Sequence, residues 1–162
     1  MTTPIFRNFL LVEVPQLIKN LKPDAKPAFG VMTPQHMVEH LIYVTKVTMK
    51  RYGKPNPKME QHHLGMKKFI ESDRDFPRNV TPVNVSPQLK PLKYENLETG
   101  IAELPKTIQG FYELYEQNPD FKCYNDHMGE LDFKLCERLH FKHFKHHFLQ
   151  FALIENDTNH PA

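Results

Sequence analysis

The sequence predicts an all-α fold, an antiparallel four-helix bundle with one long, proline-rich crossover connection. Apolar residues recur at spacings of three and four over much of the chain, as they do on the inner faces of packed helices. The alternating pattern of half-buried strands is absent apart from short ambiguous stretches near residues 8–13 and 80–85. With 162 residues the chain is long enough for one core, so residues 1–162 are predicted to form a single domain.

The first helix is predicted to be short. Residues 1–12 are apolar without clear periodicity, and Pro15 can open a helix that runs to about Leu21. Pro23 and Pro27 then exclude regular helix, because proline lacks an amide hydrogen and obstructs the preceding turn. A connection without regular structure therefore leads to the second helix.

The second helix has clear signals at both ends. Thr33 provides an N-cap hydroxyl, and Pro34 occupies the first helical position, where its missing N–H costs nothing. The helix is predicted to run to about Tyr52, because Gly53 then supplies the usual stop.

A further helix is predicted over residues 59–71, with a poorly defined apolar face. Between Asp73 and Leu92, prolines exclude regular helix and predict an extended connection, which crosses the surface or covers a site as a lid. These prolines are Pro77, Pro82, Pro87 and Pro91.

The C-terminal half is predicted to contain two long helices. Residues 94–117 form the first, and Pro105 should kink that helix or split it into two pieces. Residues 118–131 are predicted to be a loop. Asp132 can cap the last helix, which should run to about Leu153.

Composition and charge exclude several classes of function. A formal net charge of +2 is too small for a nucleic-acid-binding surface, so no nucleic-acid partner is expected. No apolar run is long enough to span a bilayer and no signal peptide is recognisable, so a cytoplasmic protein with no membrane partner is expected. The two cysteines, Cys123 and Cys136, lack metal-ligand spacing, which suits a reducing compartment and argues against a disulfide scaffold.

The last helix is rich in histidine. Its histidines are His140, His143, His146 and His147. At about 100° per residue, His143 and His147 share a narrow arc with His140, Cys136 and Gln150. Basic residues fill the opposite arc and should face water, so most of the histidines should face inward. The basic residues are Lys134, Arg138, Lys142 and Lys145.

This arrangement is typical of a metal site. Imidazoles four residues apart on a helix lie about 5–6 Å apart at Cβ, close enough to bind one transition metal ion. A third ligand would come from elsewhere. On the second helix, His40 lies on the flank of the inner side, whereas His36 lies nearer to solvent. The alternative is a set of buried histidines bonded to the backbone or to one another.

Three stretches resemble motifs of the DinB/YfiT-like superfamily, a group of metal-binding four-helix bundles, and in particular one of its uncharacterised branches. They read FGVMTPQHMVEHL at residues 29–41, MGEL at residues 128–131 and KHFKHHFLQF at residues 142–151. In that superfamily, one histidine from the second helix and an HxxxH pair from the last helix bind a divalent metal. The resemblance therefore implies that His40, His143 and His147 are metal ligands.

Three other residues of the inner arc are candidates for the pocket. His140 could be an extra ligand, a hydrogen-bond donor behind a ligand, a proton shuttle, or a buried histidine with ordinary hydrogen bonds. Cys136 is either a small core residue or a soft fourth ligand. Gln150 either binds a ligand or substrate or packs between helices. His146 is expected at an edge or an interface.

An open three-histidine site is typical of catalytic metal centres. The resemblance implies a hydrolase or thiol-dependent transferase that acts on a small-molecule substrate, with or without a thiol cosubstrate. The cofactor would be a divalent transition metal, and zinc, nickel, iron and manganese all suit such a site. The alternatives are a non-catalytic binding or dimerisation module with structural histidines, which could form a homodimer, and a protein of metal storage or sensing.

Overall fold

Helices account for most of the structure, a computed structural model that describes residues 4–78 and 88–155. The helical class was predicted, but a small two-stranded sheet is also present. The buried side chains of the helices form a shared apolar core that includes Phe9, Leu41, Phe111 and Phe148. Within the described residues, no helix has the length and hydropathy that a membrane span requires.

Helix α1 covers residues 4–20 and contains Pro15 in its interior. It comprises an α-helix Pro4–Asn8, a π-helical turn Phe9–Glu13, an α-helix Val14–Leu17 and a 3-10 turn Ile18–Asn20. The predicted start at Pro15 is therefore wrong, and the ambiguous stretch near residues 8–13 is helical. The wide turn just before Pro15 accommodates its ring and missing N–H. It also interrupts the 3.6-residue period, which explains the lack of clear periodicity in the sequence.

Helix α2 spans Pro34–Val47 and begins as predicted, with the Thr33 hydroxyl accepting a hydrogen bond from the His36 N–H. It ends before the predicted limit near Tyr52. The backbone of residues 50–52 instead pairs with Tyr124, whose carbonyl accepts from the Tyr52 N–H at 2.7 Å. A tertiary contact thus competes with the last predicted turn of the helix.

Helix α3 spans Glu60–Glu71, after a 3-10 turn Pro57–Met59, which matches the helix predicted over residues 59–71. Its C-terminal carbonyls lack partners within the helix. The ammonium group of Lys142 donates to two of these carbonyls, Phe69 O at 2.7 Å and Ser72 O at 3.0 Å. Lys142 is only 3% exposed, so the prediction that it faces water is wrong. A cation at a helix C-terminus is also electrostatically favourable.

The proline-rich connection between Asp73 and Leu92 is only partly described. Residues 72–78 and 88–92 contain neither helix nor strand. Pro82, Pro87 and the ambiguous stretch near residues 80–85 lie outside the described residues.

Helix α4 spans Leu97–Gln117, and the Asn96 side chain caps it by accepting the Thr99 N–H at 2.9 Å. It starts three residues after the predicted position at residue 94. The helix is continuous through Pro105, so the predicted split into two pieces does not occur.

Residues predicted to be a loop instead contain a β-hairpin. Strand β1 spans Cys123–Asn125 and strand β2 spans Gly129–Leu131, paired antiparallel with Cys123 opposite Leu131. Between them, the Asn125 side-chain oxygen accepts from the N–H groups of His127 and Met128. Strands of three residues are too short to show a periodic pattern in the sequence.

Helix α5 spans Phe133–Gln150 and begins at the predicted cap, where the Asp132 carboxylate accepts the Leu135 N–H at 2.9 Å. It ends three residues before the predicted limit at Leu153. The Leu153 N–H bonds to the Phe148 carbonyl at 2.8 Å, with Ala152 at a φ of 53°. This pattern is a helix-terminating turn.

Candidate metal centre

Three histidines from two helices converge on one point. Helix α2 contributes His40, and helix α5 contributes His143 and His147. The Nε2 atom of His143 lies 3.0 Å from that of His40 and 3.1 Å from that of His147. The ligand atoms of all three lie within 4.8 Å of one another. These three residues, here called the histidine triad, are the predicted metal ligands.

The spacing of the triad nitrogens suits one shared ion. Zinc–imidazole bonds of about 2.0–2.1 Å in tetrahedral geometry separate neighbouring nitrogens by about 3.4 Å. The two Nε2 separations that involve His143, 3.0 and 3.1 Å, are within a few tenths of an ångström of that value, and the separation of the ligand atoms of His40 and His147 is at most 4.8 Å. Small side-chain rotations would therefore bring the nitrogens to the bonding distance.

Gln150 fixes the orientation and tautomer of His147. The Gln150 amide donates to the Phe29 carbonyl at 2.8 Å, which directs its oxygen to the Nδ1 atom of His147 at 2.7 Å. Because an amide oxygen only accepts, Nδ1 must carry the hydrogen. In the neutral ring, Nε2 then has an unshared electron pair that faces the other two histidines. Oriented metal ligands commonly have such a partner.

The triad nitrogens cannot satisfy one another by hydrogen bonding alone. A neutral imidazole has a single N–H, and that of His147 points away from the triad, to Gln150. The Nε2 atom of His143 faces both other Nε2 atoms, and one N–H cannot point along both contacts. A cation shared by the three nitrogens removes this conflict. The donor set therefore fits a divalent metal.

Burial keeps the triad imidazoles neutral. It lowers the pKa of His40 to about 4, with smaller contributions from the charges of Lys90 and His146. Burial likewise lowers the pKa of His147 to about 3 and holds that of His143 well below its usual range. Neutral imidazole is the form that binds metal, so a metal would not compete with protons for these nitrogens at neutral pH.

Gly30 allows the Gln150 side chain to reach its position. Its φ is +75°, and a Cβ built there would lie 2.8 Å from the Gln150 amide nitrogen. Gly53 has a similar φ of +78° but nothing within 4 Å of such an atom. Both glycines therefore have a left-handed backbone conformation, but only at Gly30 would a side chain collide with Gln150.

We expect Gly30→Ala to weaken metal binding about tenfold or more, because displacement of Gln150 releases His147. Isothermal titration calorimetry with zinc would measure the metal affinity of the purified variant. Gly53→Ala is the matched control, since both variants have the same left-handed strain of about 1–2 kcal/mol. Equal metal affinities for the two variants would contradict the proposed role of Gln150.

His140 lies in the protein interior and bonds to a hydroxyl group rather than to the triad. The Thr48 hydroxyl donates to the Thr45 carbonyl, so it accepts from the Nε2–H of His140 at 2.7 Å. The ring also packs edge-on against Phe111, with 4.9 Å between centroids. Burial lowers the pKa of His140 to about 3. Among the alternatives for His140, these contacts match a buried histidine with ordinary hydrogen bonds.

Cys136 also lies away from the triad. Its sulfur is 3.5 Å from that of Cys123 and 3.4 Å from the Tyr115 hydroxyl, and its side chain is fully buried. In the described part of the chain, the metal-ligand cluster consists of the three triad histidines without Cys136. The contacts favour the core role over the fourth-ligand role.

Aromatic residues form one wall beside the triad. His146 packs between Phe29 and Phe76, with ring centroids 5.0 and 5.8 Å away, and Phe76 also contacts His143 at 5.3 Å. Phe76 belongs to the proline-rich connection, and no pattern in the sequence links it to the histidine helix.

Glu39 is next to His40 in the sequence, but its carboxylate accepts hydrogen bonds from the backbone N–H groups of Lys93 and Tyr94.

No family model, curated protein or solved structure matches this chain. The geometry of the triad is therefore the main basis for a functional proposal.

Proposed function

We propose that this protein is a metal-dependent enzyme, of the hydrolase or thiol-dependent transferase type, in which His40, His143 and His147 bind a divalent transition metal. The observation that carries the proposal is the convergence of three neutral imidazoles whose Nε2 atoms cannot all be satisfied by one another. The resemblance of three sequence stretches to the DinB/YfiT-like superfamily supports it. We also propose that the helices form the antiparallel bundle of that superfamily.

Three protein ligands leave coordination positions open for a substrate, as in catalytic rather than structural zinc sites. A divalent ion bound there would supply Lewis-acid chemistry toward a substrate oxygen or sulfur. Zinc, nickel, iron and manganese are all compatible with a three-imidazole donor set. The substrate would be a small molecule, with or without a thiol cosubstrate.

Residues around the triad would position the ligands and limit the access of water. Gln150 holds the Nδ1 hydrogen of His147, and Phe76 covers one side of His143. A cavity of about 40 Å³ lies next to the aromatic wall of Phe29 and Phe76 and is large enough for roughly one to three water molecules. It is lined by Phe29, Asp75, Phe76, Arg78, His146 and Leu149.

Reconstitution of the chelator-treated protein with one metal at a time would test the proposal. Zinc, nickel, iron and manganese forms would be assayed with ester and amide substrates and with a thiol plus an electrophilic acceptor. We expect turnover with at least one metal and a loss of about 100-fold or more in kcat/KM for His40→Ala. His36→Ala, on the same helix, is the matched control and should retain activity.

Two results would overturn the enzyme proposal. The histidines would be structural if the wild-type protein bound no stoichiometric metal and chelator left its stability unchanged. Metal binding with a large structural response and no turnover of either substrate class would indicate metal sensing or storage.

A further inference from the structure

The fold brings the two cysteines into contact. Cys123 lies at the start of strand β1, Cys136 is the fourth residue of helix α5, and their sulfur atoms are 3.5 Å apart. Both side chains have zero exposure, and both are free thiols in the structure. The sequence spacing suggested neither a metal site nor a disulfide, so this proximity is a product of the tertiary fold.

The two sulfur atoms are close enough for a disulfide bond to form after a small movement. A disulfide bond is about 2.05 Å long, so the sulfurs would need to approach by about 1.5 Å. Cys136 is held in a long helix, whereas Cys123 belongs to a strand of three residues whose partner is equally short. A side-chain rotation and a small shift of the hairpin would provide this movement.

Neighbouring groups distinguish the two thiols. The Tyr115 hydroxyl donates to the Thr48 carbonyl at 2.8 Å and lies 3.4 Å from the Cys136 sulfur. Hydrogen bonding from Cys136 lowers the pKa of Cys123. Burial raises the pKa of Cys136 well above its usual range. Cys123 is therefore the better nucleophile, because the thiolate is the reactive form.

We propose that Cys123 and Cys136 form a redox-active pair that hydrogen peroxide converts to a reversible intramolecular disulfide. This proposal is independent of the metal centre.

The reaction would proceed in two steps. The Cys123 thiolate attacks one peroxide oxygen, the O–O bond breaks, and the departing hydroxide takes the proton that Cys123 released, which leaves a sulfenic acid and one water. The Cys136 sulfur then attacks the Cys123 sulfur, the S–O bond breaks, and the leaving hydroxide combines with the Cys136 proton as a second water. Two thiols are thereby oxidised and one peroxide is reduced. Because both sulfurs are buried, the peroxide would enter through brief openings of the hairpin.

Intact mass spectrometry after peroxide treatment would test the pair. The full-length protein, at low concentration, would be oxidised, denatured and alkylated with N-ethylmaleimide. We expect loss of two hydrogen atoms, no alkylation, and a Cys123–Cys136 linked peptide that dithiothreitol abolishes. Cys136→Ser should accumulate a dimedone-reactive sulfenic acid at Cys123, and Cys123→Ser should show at least a tenfold smaller signal at Cys136.

The proposal would fail if both thiols were still alkylated under conditions that oxidise the partly exposed Met59. It would also fail if the cross-link formed only between molecules, or only after denaturant had unfolded the chain. Circular dichroism of each serine variant would show that it is folded before the comparison is made.

Discussion

Replacement of His143 by alanine should lower the affinity for divalent metal by more than about 100-fold, because loss of an outer-shell partner of a ligand already costs up to that factor. His143 is the central member of the triad, since its Nε2 atom is the one that lies next to both others. His40→Ala and His147→Ala should have similar effects. Metal content of protein purified without immobilised metal, followed by competition with a chelator, would measure the change.

The control for this series is His36→Ala. His36 lies one turn before His40 on helix α2, and its ring contacts the Thr33 hydroxyl at 2.7 Å instead of the triad. The variant should bind metal like the wild type. Unchanged affinity in all three triad variants would show that the metal, if bound, lies elsewhere.

Acidification should destabilise the metal-free protein between about pH 6.5 and pH 4. Burial lowers the pKa of His40 to about 4 and those of His140 and His147 to about 3. The pKa of His143 is also well below its usual range. In the unfolded chain these groups have pKa values of about 6.5, so the unfolded state binds more protons throughout this interval.

The sign and size of this effect follow from linkage. The stability contributed by these neutral imidazoles is fully present above about pH 6.5 and is lost as the pH falls towards the folded-state values. Each histidine contributes about 1.4 kcal/mol for each pH unit below about 6.5, so the four together contribute at most about 5.5 kcal/mol between about pH 6.5 and pH 5.5. That loss is comparable with the whole stability of many domains.

Urea denaturation in the presence of chelator, at pH 7.5 and at pH 5.5, would measure this loss. We expect a much lower midpoint at pH 5.5, with the m-value unchanged. His140→Phe removes one buried imidazole that hydrogen-bonds to Thr48 rather than to the triad. The slope of its unfolding free energy against pH should be smaller by the equivalent of about one bound proton. A flat stability profile over this interval would contradict the burial of the four imidazoles.

Local rules predicted the parts of this protein that depend on near neighbours in the chain. Thr33 and Asp132 cap their helices as expected, because a capping side chain bonds to an N–H only two or three residues away. The proximity of His143 and His147 follows from their four-residue spacing on a helix. The position of His40 on the inner side of helix α2 was also predictable from helical periodicity.

Other features depend on contacts between distant segments. The short end of helix α2 reflects pairing with Tyr124, and the burial of Lys142 reflects the unpaired carbonyls at the end of helix α3. The π-helical turn before Pro15 removed the periodicity on which prediction of helix α1 relies. The short end of helix α2 and the burial of Lys142 have no signature within a few residues of their own positions, whereas the π-helical turn has a local cause in Pro15.

The sequence by itself determined that the chain is largely helical and that His143 and His147 share one helical face, because helix periodicity and capping act over a single turn. The sequence also predicted His40 as the third ligand, but only the tertiary structure shows its Nε2 atom 3.0 Å from that of His143. Only the tertiary structure decided that Gln150 orients His147 through Phe29 and that Cys123 lies against Cys136. The physical reason is that these contacts join residues 13 to 121 positions apart, and packing of the whole core sets their distances.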